Sequence, residues 1–403
     1  DCTVREVSLP DALLHAQEYT DLAGETPTQD VAVLRLLLAV LHSVFGRKDA
    51  DGKESEIKSI NSALLRWRSL WETGCFPRKP LCDYFSEWYE RFWLFHPEIP
   101  FWQVPEAKIG IDFDAKKLNG EVSESGHKDQ LFSSFSGYEK DNLSYAQAAR
   151  WLLYINGYDE KGGRPKKGNK PRPGIAWLGQ IGFVSVKGRT LFETLMRNLV
   201  FLRDAEKPWD FPKPIWEQPP VGKEQSRKIA PPKSQAELLT LQSRRIILKR
   251  KDDKVIGHIL LGGDYFDSKN AFVEQMTIWR ENKKSGSDIP IFFPQEHDVN
   301  RQMWREFPIF FQGREPGVVR WNVLLQKTKI LNKNEATILW AVMNRYDSNG
   351  ASVKDIYSDT ITFHLGIIDE LGIKRRYIIE EVICCEKLAD QVGFLAKNLA
   401  LAS

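Results

Sequence analysis

Residues 26–46 hold the pattern that most limits what this chain can fold into. Thr26, Pro27 and Thr28 form a helix start: the hydroxyl can accept from a first-turn N–H, and proline sits where no intrahelical donor is needed. Leu34, Leu37, Leu38, Leu41 and Phe45 then recur at three- and four-residue intervals, the period of one buried helical face, and Gly46 stops the run. The apolar stretch 31–45 is interrupted by Arg35 and His42 and is shorter than the roughly 20 apolar residues a bilayer span needs, so no membrane span is expected. With 403 residues, 42% of them hydrophobic, the chain can bury a sizeable core and divide into two or three structural units.

Charge and cysteine content narrow the class. A formal net charge of +3 gives no global attraction to nucleic acid, so any such contact must be local. Cys2, Cys75, Cys82, Cys384 and Cys385 follow no zinc-like spacing, and an adjacent Cys384-Cys385 pair is poor geometry for a structural disulfide. A reducing cytoplasm is the expected compartment. Asp1 is not followed by a charged-then-apolar leader with a small-residue cleavage site.

Local signals order the rest of the chain. Ser8 and Asp11 have capping-box spacing ahead of a short helix with Leu13, Leu14 and His15. Residues 47–58 read as a charged surface loop and 60–71 as a helix carrying Leu64, Leu65, Trp67 and Leu70. Over 84–102 the aromatics Trp88, Tyr89, Phe92, Trp93, Phe95, Phe101 and Trp102, at helical spacing, can fill a large core volume. Residues 108–138 read as an irregular glycine-rich loop, 145–155 as a helix capped by Ser144, 177–187 as strand-like and 191–202 as helix. The proline-rich 208–232 is an extended connector pinned by its tryptophans. Residues 246–248 and 255–261 form a hairpin, further strands fall near 271–279 and 289–293, and from 352 onward the pattern is helical.

Catalytic motifs are missing from this reading. The seven histidines show no metal-ligand spacing, and no phosphate-cradling glycine loop or nucleophile elbow occurs. Glu296, His297 and Asp298 are adjacent in sequence and so point in different directions; they read as a solvated turn. No cofactor or metal is expected. The most polarised segment is 161–174, where Lys161, Arg164, Lys166, Lys167, Lys170 and Arg172 stand among Gly162, Gly163, Gly168 and Gly174. Glycines admit close backbone approach and the lysines can neutralise phosphates, so the segment is either a nucleic-acid track or a solvated loop. Arg244, Arg245, Lys249, Arg250, Lys251 and Lys254 on the hairpin are a weaker form of the same signal.

Several segments together resemble the CasA family, the large subunit of type I-E CRISPR (Cascade) surveillance complexes. Leu22-Ala23-Gly24-Glu25-Thr26-Pro27-Thr28-Gln29-Asp30 precedes an aliphatic helix ending in His42. Phe101-Trp102-Gln103-Val104-Pro105, Ala148-Ala149-Arg150-Trp151-Leu152, Gly179-Gln180-Ile181-Gly182-Phe183 with 187–195, Ser243-Arg244-Arg245-Ile246 and Ser358-Asp359-Thr360-Ile361-Thr362-Phe363 follow in family order. The resemblance implies an α+β fold: a large mixed α/β N-terminal domain over 1–334, then a wedge turn and C-terminal helical bundle region over 335–403. Residues 352–403 offer chain for about two helices at 1.5 Å per residue, against the four of the family's bundle.

It also implies a non-catalytic protein that reads the protospacer-adjacent motif in double-stranded target DNA, helps to unwind it and recruits a helicase-nuclease. The guide RNA reads the sequence by base pairing. Its partners would be the other Cascade subunits, the CRISPR guide RNA, target DNA and the helicase-nuclease. By position, a DNA-contacting glycine loop falls on Gly162, Gly163, Lys166, Lys167, Gly168 and Lys170, a lysine on a hairpin at Lys269, and a wedge at Asn349, Gly350 and Ala351. Gly350 stands where some members carry glutamine. A segment that touches the guide RNA handle or neighbouring subunits maps to Phe132 and Phe135, which read equally as partly buried loop aromatics. A metal-dependent nucleic-acid-cleaving enzyme and a purely structural capping subunit are the alternatives.

Overall fold

In the computed structural model the helix Pro27–Phe45 is buried all round rather than on one face: from Thr28 onward only Asp30 and Val33 keep partial exposure. The structure describes residues 3–119, 141–162, 174–203, 205–221, 226–282, 289–310, 314–332, 334–367 and 372–402. Thr26 caps the helix by accepting from the Gln29 N–H at 3.2 Å. By length and composition the helix could cross a membrane, but 89% of its apolar window is buried inside the protein. Helices Tyr145–Tyr158, Leu191–Asn198 and Gln235–Leu239 and the strand Ala336–Tyr346 surround it. Its two polar interruptions are accommodated differently. Arg35 pairs with Glu274 at 3.0 Å, and the other Glu274 oxygen accepts from the Trp177 indole at 2.8 Å. His42 stands edge-on to Phe201, and burial pushes its pKa down to about 3, so it is a neutral core histidine.

Two antiparallel sheets matter for the site. In one, Arg244–Lys251 and Lys254–Gly262 form the expected hairpin, with Ile111–Asp114 on the far edge. Asp252, in the left-handed region at φ +54°, makes the tight reversal. In the other, Ala336–Tyr346 lies between Phe183–Lys187 and Val353–His364. The strands expected near 271–279 and 289–293 are shorter and later, Trp279–Glu281 paired with Phe292–Pro294, and an unexpected short pair joins Leu202–Arg203 to Lys207–Pro208. The proline-rich connector is held as anticipated: the Trp209 indole donates to the Val200 carbonyl and that of Trp216 to the Tyr84 hydroxyl, both at 2.7 Å.

The structure corrects several readings. Residues after 352 are not uniformly helical: Val353–His364 is a strand, and the helix begins only at Ile373 and runs to Ala402. Ile356, Thr360 and Thr362 favour extended backbone, and pairing along the whole of Ala336–Tyr346 overrides the helical spacing. Over 84–102 the helix ends at Glu87, and a 3-10 turn, Tyr89–Phe92, follows; Phe101 and Trp102 enter the core while Tyr89 and Trp93 stay exposed. The glycine-rich stretch after 108 begins with the strand Ile111–Asp114 and the helix Ala115–Leu118. Helix Leu191–Asn198 is shorter than expected because Leu202–Arg203 turns into a strand. His297 is not part of a solvated turn: its ring contacts the Phe183 carbonyl at 2.9 Å, and burial lowers its pKa to about 4.

Candidate nucleic-acid interface

The hairpin between Ala336–Tyr346 and Val353–His364 presents the candidate wedge. Its turn is built around Asp347, whose carboxylate accepts from the Ala351 N–H at 2.7 Å, the Asn349 N–H at 3.1 Å and the Ser352 hydroxyl at 3.3 Å. These bonds, the one from Ala351 foremost, hold its carboxyl below the usual carboxylate range. Asn349 is exposed at the tip, whereas Gly350 is buried in the left-handed region at φ +71°. A Cβ on Gly350 would stand 3.0 Å from Ile175 Cδ1 and 3.4 Å from Lys161 Cβ. A long side chain here would therefore start into the protein and away from solvent. Below the turn, the Tyr346 hydroxyl donates to the Tyr158 carbonyl at 2.6 Å; a Cβ on Gly179 would lie only 2.3 Å from that hydroxyl.

Residues 161 and 174–175 are the two ends of the basic segment, and both meet this turn. The Lys161 N–H donates to the Gly350 carbonyl at 2.7 Å, and Ile175 lies beneath Gly350. Arg244 holds the ends together: its guanidinium pairs with Asp159 and donates to the carbonyls of Asp159, Glu160 and Gly174 at 3.2, 3.1 and 2.8 Å. The Ala176 N–H closes the stem on the Asp159 carbonyl at 2.9 Å. Gly162 is buried at the stem, while Gly163, Lys166, Lys167, Gly168 and Lys170 lie outside the described residues, as do Phe132 and Phe135.

Lys269 is exposed on a separate turn, its N–H donating to Asp267 Oδ1 at 3.0 Å. Asn270, at φ +51°, fixes that turn by exchanging hydrogen bonds with the backbone of Phe292. A cleft of about 150 Å³ is lined by Gly174, Ile175, Arg244, Tyr265 and Phe266 among others. Phe266 closes it against Trp177, ring centroids 4.3 Å apart.

The second basic cluster divides: Arg250 and Lys251 are exposed at the end of the hairpin, whereas its first two arginines turn inward. Arg244 and Arg245 are buried, Arg245 pairing with Asp264 at 2.6 Å; Lys249 pairs with Asp112, and Arg250 covers the Phe95 ring. Sequence reasoning thus missed Arg244 as the clamp of the loop stem. The available signal was its place directly before the apolar run Ile246, Ile247 and Leu248, where an arginine enters the interior with the strand. Among the described residues no group of three or more His, Cys, Asp or Glu side chains is placed to hold a metal.

A family model described as CRISPR-associated protein Cse1 matches residues 1–402. This chain belongs to the Cse1 family. A Cse1 relative, CRISPR-associated protein CasA/Cse1 of Thermus thermophilus, is 32% identical over 218 residues; the match spans 54% of this chain and 39% of that relative. Among solved structures, Thermobifida fusca Cse1 superposes with a TM-score of 0.80 at 28% identity, covering 95% of this chain and 74% of that one. Acidimicrobium ferrooxidans Cse1 gives 0.75 at 26% identity, covering 94% and 71%. A chain of a CRISPR RNA-guided surveillance complex shares the fold at a TM-score of 0.68 and 19% identity, covering 88% of this chain and 70% of its own. The mixed helix and strand architecture ending in a helix is the Cse1 fold.

Proposed function

We propose that this Cse1-family chain is the large subunit of an RNA-guided CRISPR surveillance complex and acts by binding, not by chemistry. In this reading it recognises a short motif beside the target in duplex DNA, helps to open that duplex and presents it to a helicase-nuclease in the cytoplasm. Family membership and the likeness to a chain of an RNA-guided surveillance complex support the assembly. The observation that carries the site is the bond from Lys161 to the Gly350 carbonyl: it brings the first residue of the basic glycine-rich segment against the candidate wedge turn although the two lie far apart in sequence. Phosphate attraction from Lys166, Lys167 and Lys170 would position the duplex. Lys269 would read the minor groove, where base identity is only partly encoded, and Asn349 with Ala351 would part the first base pairs at Gly350. Phe132 and Phe135 would meet the guide RNA or a neighbouring subunit.

The test is reconstitution of the complex, with and without this chain, on targets carrying every flanking trinucleotide. The chain should confer flank-dependent affinity for duplex targets. Unchanged affinity without it would leave a capping role. Metal-dependent cleavage by the purified chain, surviving repurification, would make it an enzyme.

A further inference from the structure

The loop stem and the wedge turn share a third support. Glu160, buried at the foot of the loop, accepts from the Lys117 ammonium at 2.7 Å through Oε2 and from the Val353 N–H at 3.1 Å through Oε1. Val353 is the first residue of the strand that leaves the turn. Lys117 also stands 3.7 Å from Asp159, the carboxylate that Arg244 holds. Lys117, Asp159, Glu160 and Arg244 are all buried, and their charges sum to zero. Between them they reach both ends of the basic segment and the candidate wedge turn: Asp159 and Glu160 precede the segment, Arg244 also holds Gly174 after it, and Glu160 holds the exit of the turn. Lys117 lies on the helix Ala115–Leu118, which leads in sequence to residues 120–140.

Charged groups held out of water depend on one another, because removing one weakens the compensation of the charge it faces. We propose that Lys117, Asp159, Glu160 and Arg244 form a positioning node that couples the basic loop to the wedge turn, so that binding at one sets the geometry of the other. The coupling extends to Ala115–Leu118. This inference rests on the proposed DNA-reading role of the loop and the turn. The node touches no nucleic acid; it acts through the backbone of Lys161, Gly350 and Val353.

Two measurements test it, on Glu160→Gln and Lys117→Met in the full chain. Glutamine retains an acceptor for Val353 but loses the charge that faces Lys117. Should Glu160→Gln not fold, Lys117→Met carries the same test from a different element. First, amide hydrogen exchange is followed in peptides covering 113–119, 156–162, 174–180 and 345–356, with the helix Gly317–Lys327 as reference. Each substitution should accelerate exchange at both the stem and the turn about tenfold while the reference stays unchanged. Acceleration confined to the substituted element, or shared by the reference helix, would overturn the node. Second, the reconstituted complex is offered duplex targets and targets with an intact flank but an already unpaired protospacer. Glu160→Gln should weaken duplex binding about tenfold more than binding to the opened target. Equal losses on both would overturn the coupling. A Lys166→Ala, Lys167→Ala, Lys170→Ala variant runs in parallel: if it binds duplex targets as the wild type does, the DNA-reading role of the loop has failed, irrespective of the exchange result.

Discussion

Lys161 and Gly350, 189 positions apart, are joined by a single backbone hydrogen bond of 2.7 Å, and through it the base of a basic loop becomes the floor of a hairpin turn. Gly350 can serve there because it lies in the left-handed region and leaves room for Ile175 and Lys161. Gly350→Ala should therefore cost about 1–2 kcal/mol of stability from the backbone conformation, with close contact to Ile175 adding to it. Asn349→Ala, at the exposed tip, should stay within about 0.5 kcal/mol of wild type. Urea denaturation of both variants decides; equal stability of the two would mean that the turn tolerates a side chain at Gly350.

Replacing Lys166, Lys167 and Lys170 with alanine should weaken target binding by the complex and flatten its salt dependence. Each lost phosphate contact removes about 0.9 from the logarithmic salt slope on B-form DNA. Filter binding across a salt series measures it, and an unchanged slope would make the segment a solvated loop.

Lys269 sits on a turn fixed by Asp267 and Asn270, which suits an aimed contact better than a diffuse one. Lys269→Ala should remove about 1–3 kcal/mol from binding to the best flanking motif and less from poor ones. A uniform loss across flanks would identify a phosphate contact instead.

His42 and His297 make stability depend on pH. Desolvation lowers their folded pKa values to about 3 and about 4, the Phe183 contact partly opposing the shift at His297. The unfolded chain takes up these protons below about pH 6.5, so unfolding binds protons in the window beneath it. The stabilisation is complete above that pH and is lost as pH falls towards the folded values, by about 1.4 kcal/mol per pH unit for each histidine. Burial raises the Asp30 pKa to about 6, so its folded carboxyl takes up a proton below that pH and partly offsets the histidines. Urea midpoints should still fall from pH 7 to 5, and His42→Leu should show a shallower fall than wild type between pH 6 and 5. An identical slope in that variant would mean that His42 is not buried neutral.

The local elements were legible in the sequence wherever cap, period and stop agreed. Thr26 to Gly46, the helix behind Ser144 and the hairpin after Ser243 were set by residues within a few positions of one another. The same holds for the family motifs, which are short runs in a fixed order. Local spacing failed for 353–364, where apolar and β-branched residues satisfy a helix as well as a strand and the partner Ala336–Tyr346 decides. It failed again for Arg244 and Arg245, since a charged side chain looks the same in sequence whether it faces water or a buried carboxylate. Where cap, period and stop agreed, the sequence alone determined which segments are helical or extended, because those preferences are properties of neighbouring residues. Only the tertiary structure decided that Lys161 meets Gly350, that Glu160 receives both Lys117 and Val353, and that Arg244 closes the loop. Those contacts join residues remote in the chain, and their free energy exists only once the core has brought them together and excluded the water that would otherwise screen them.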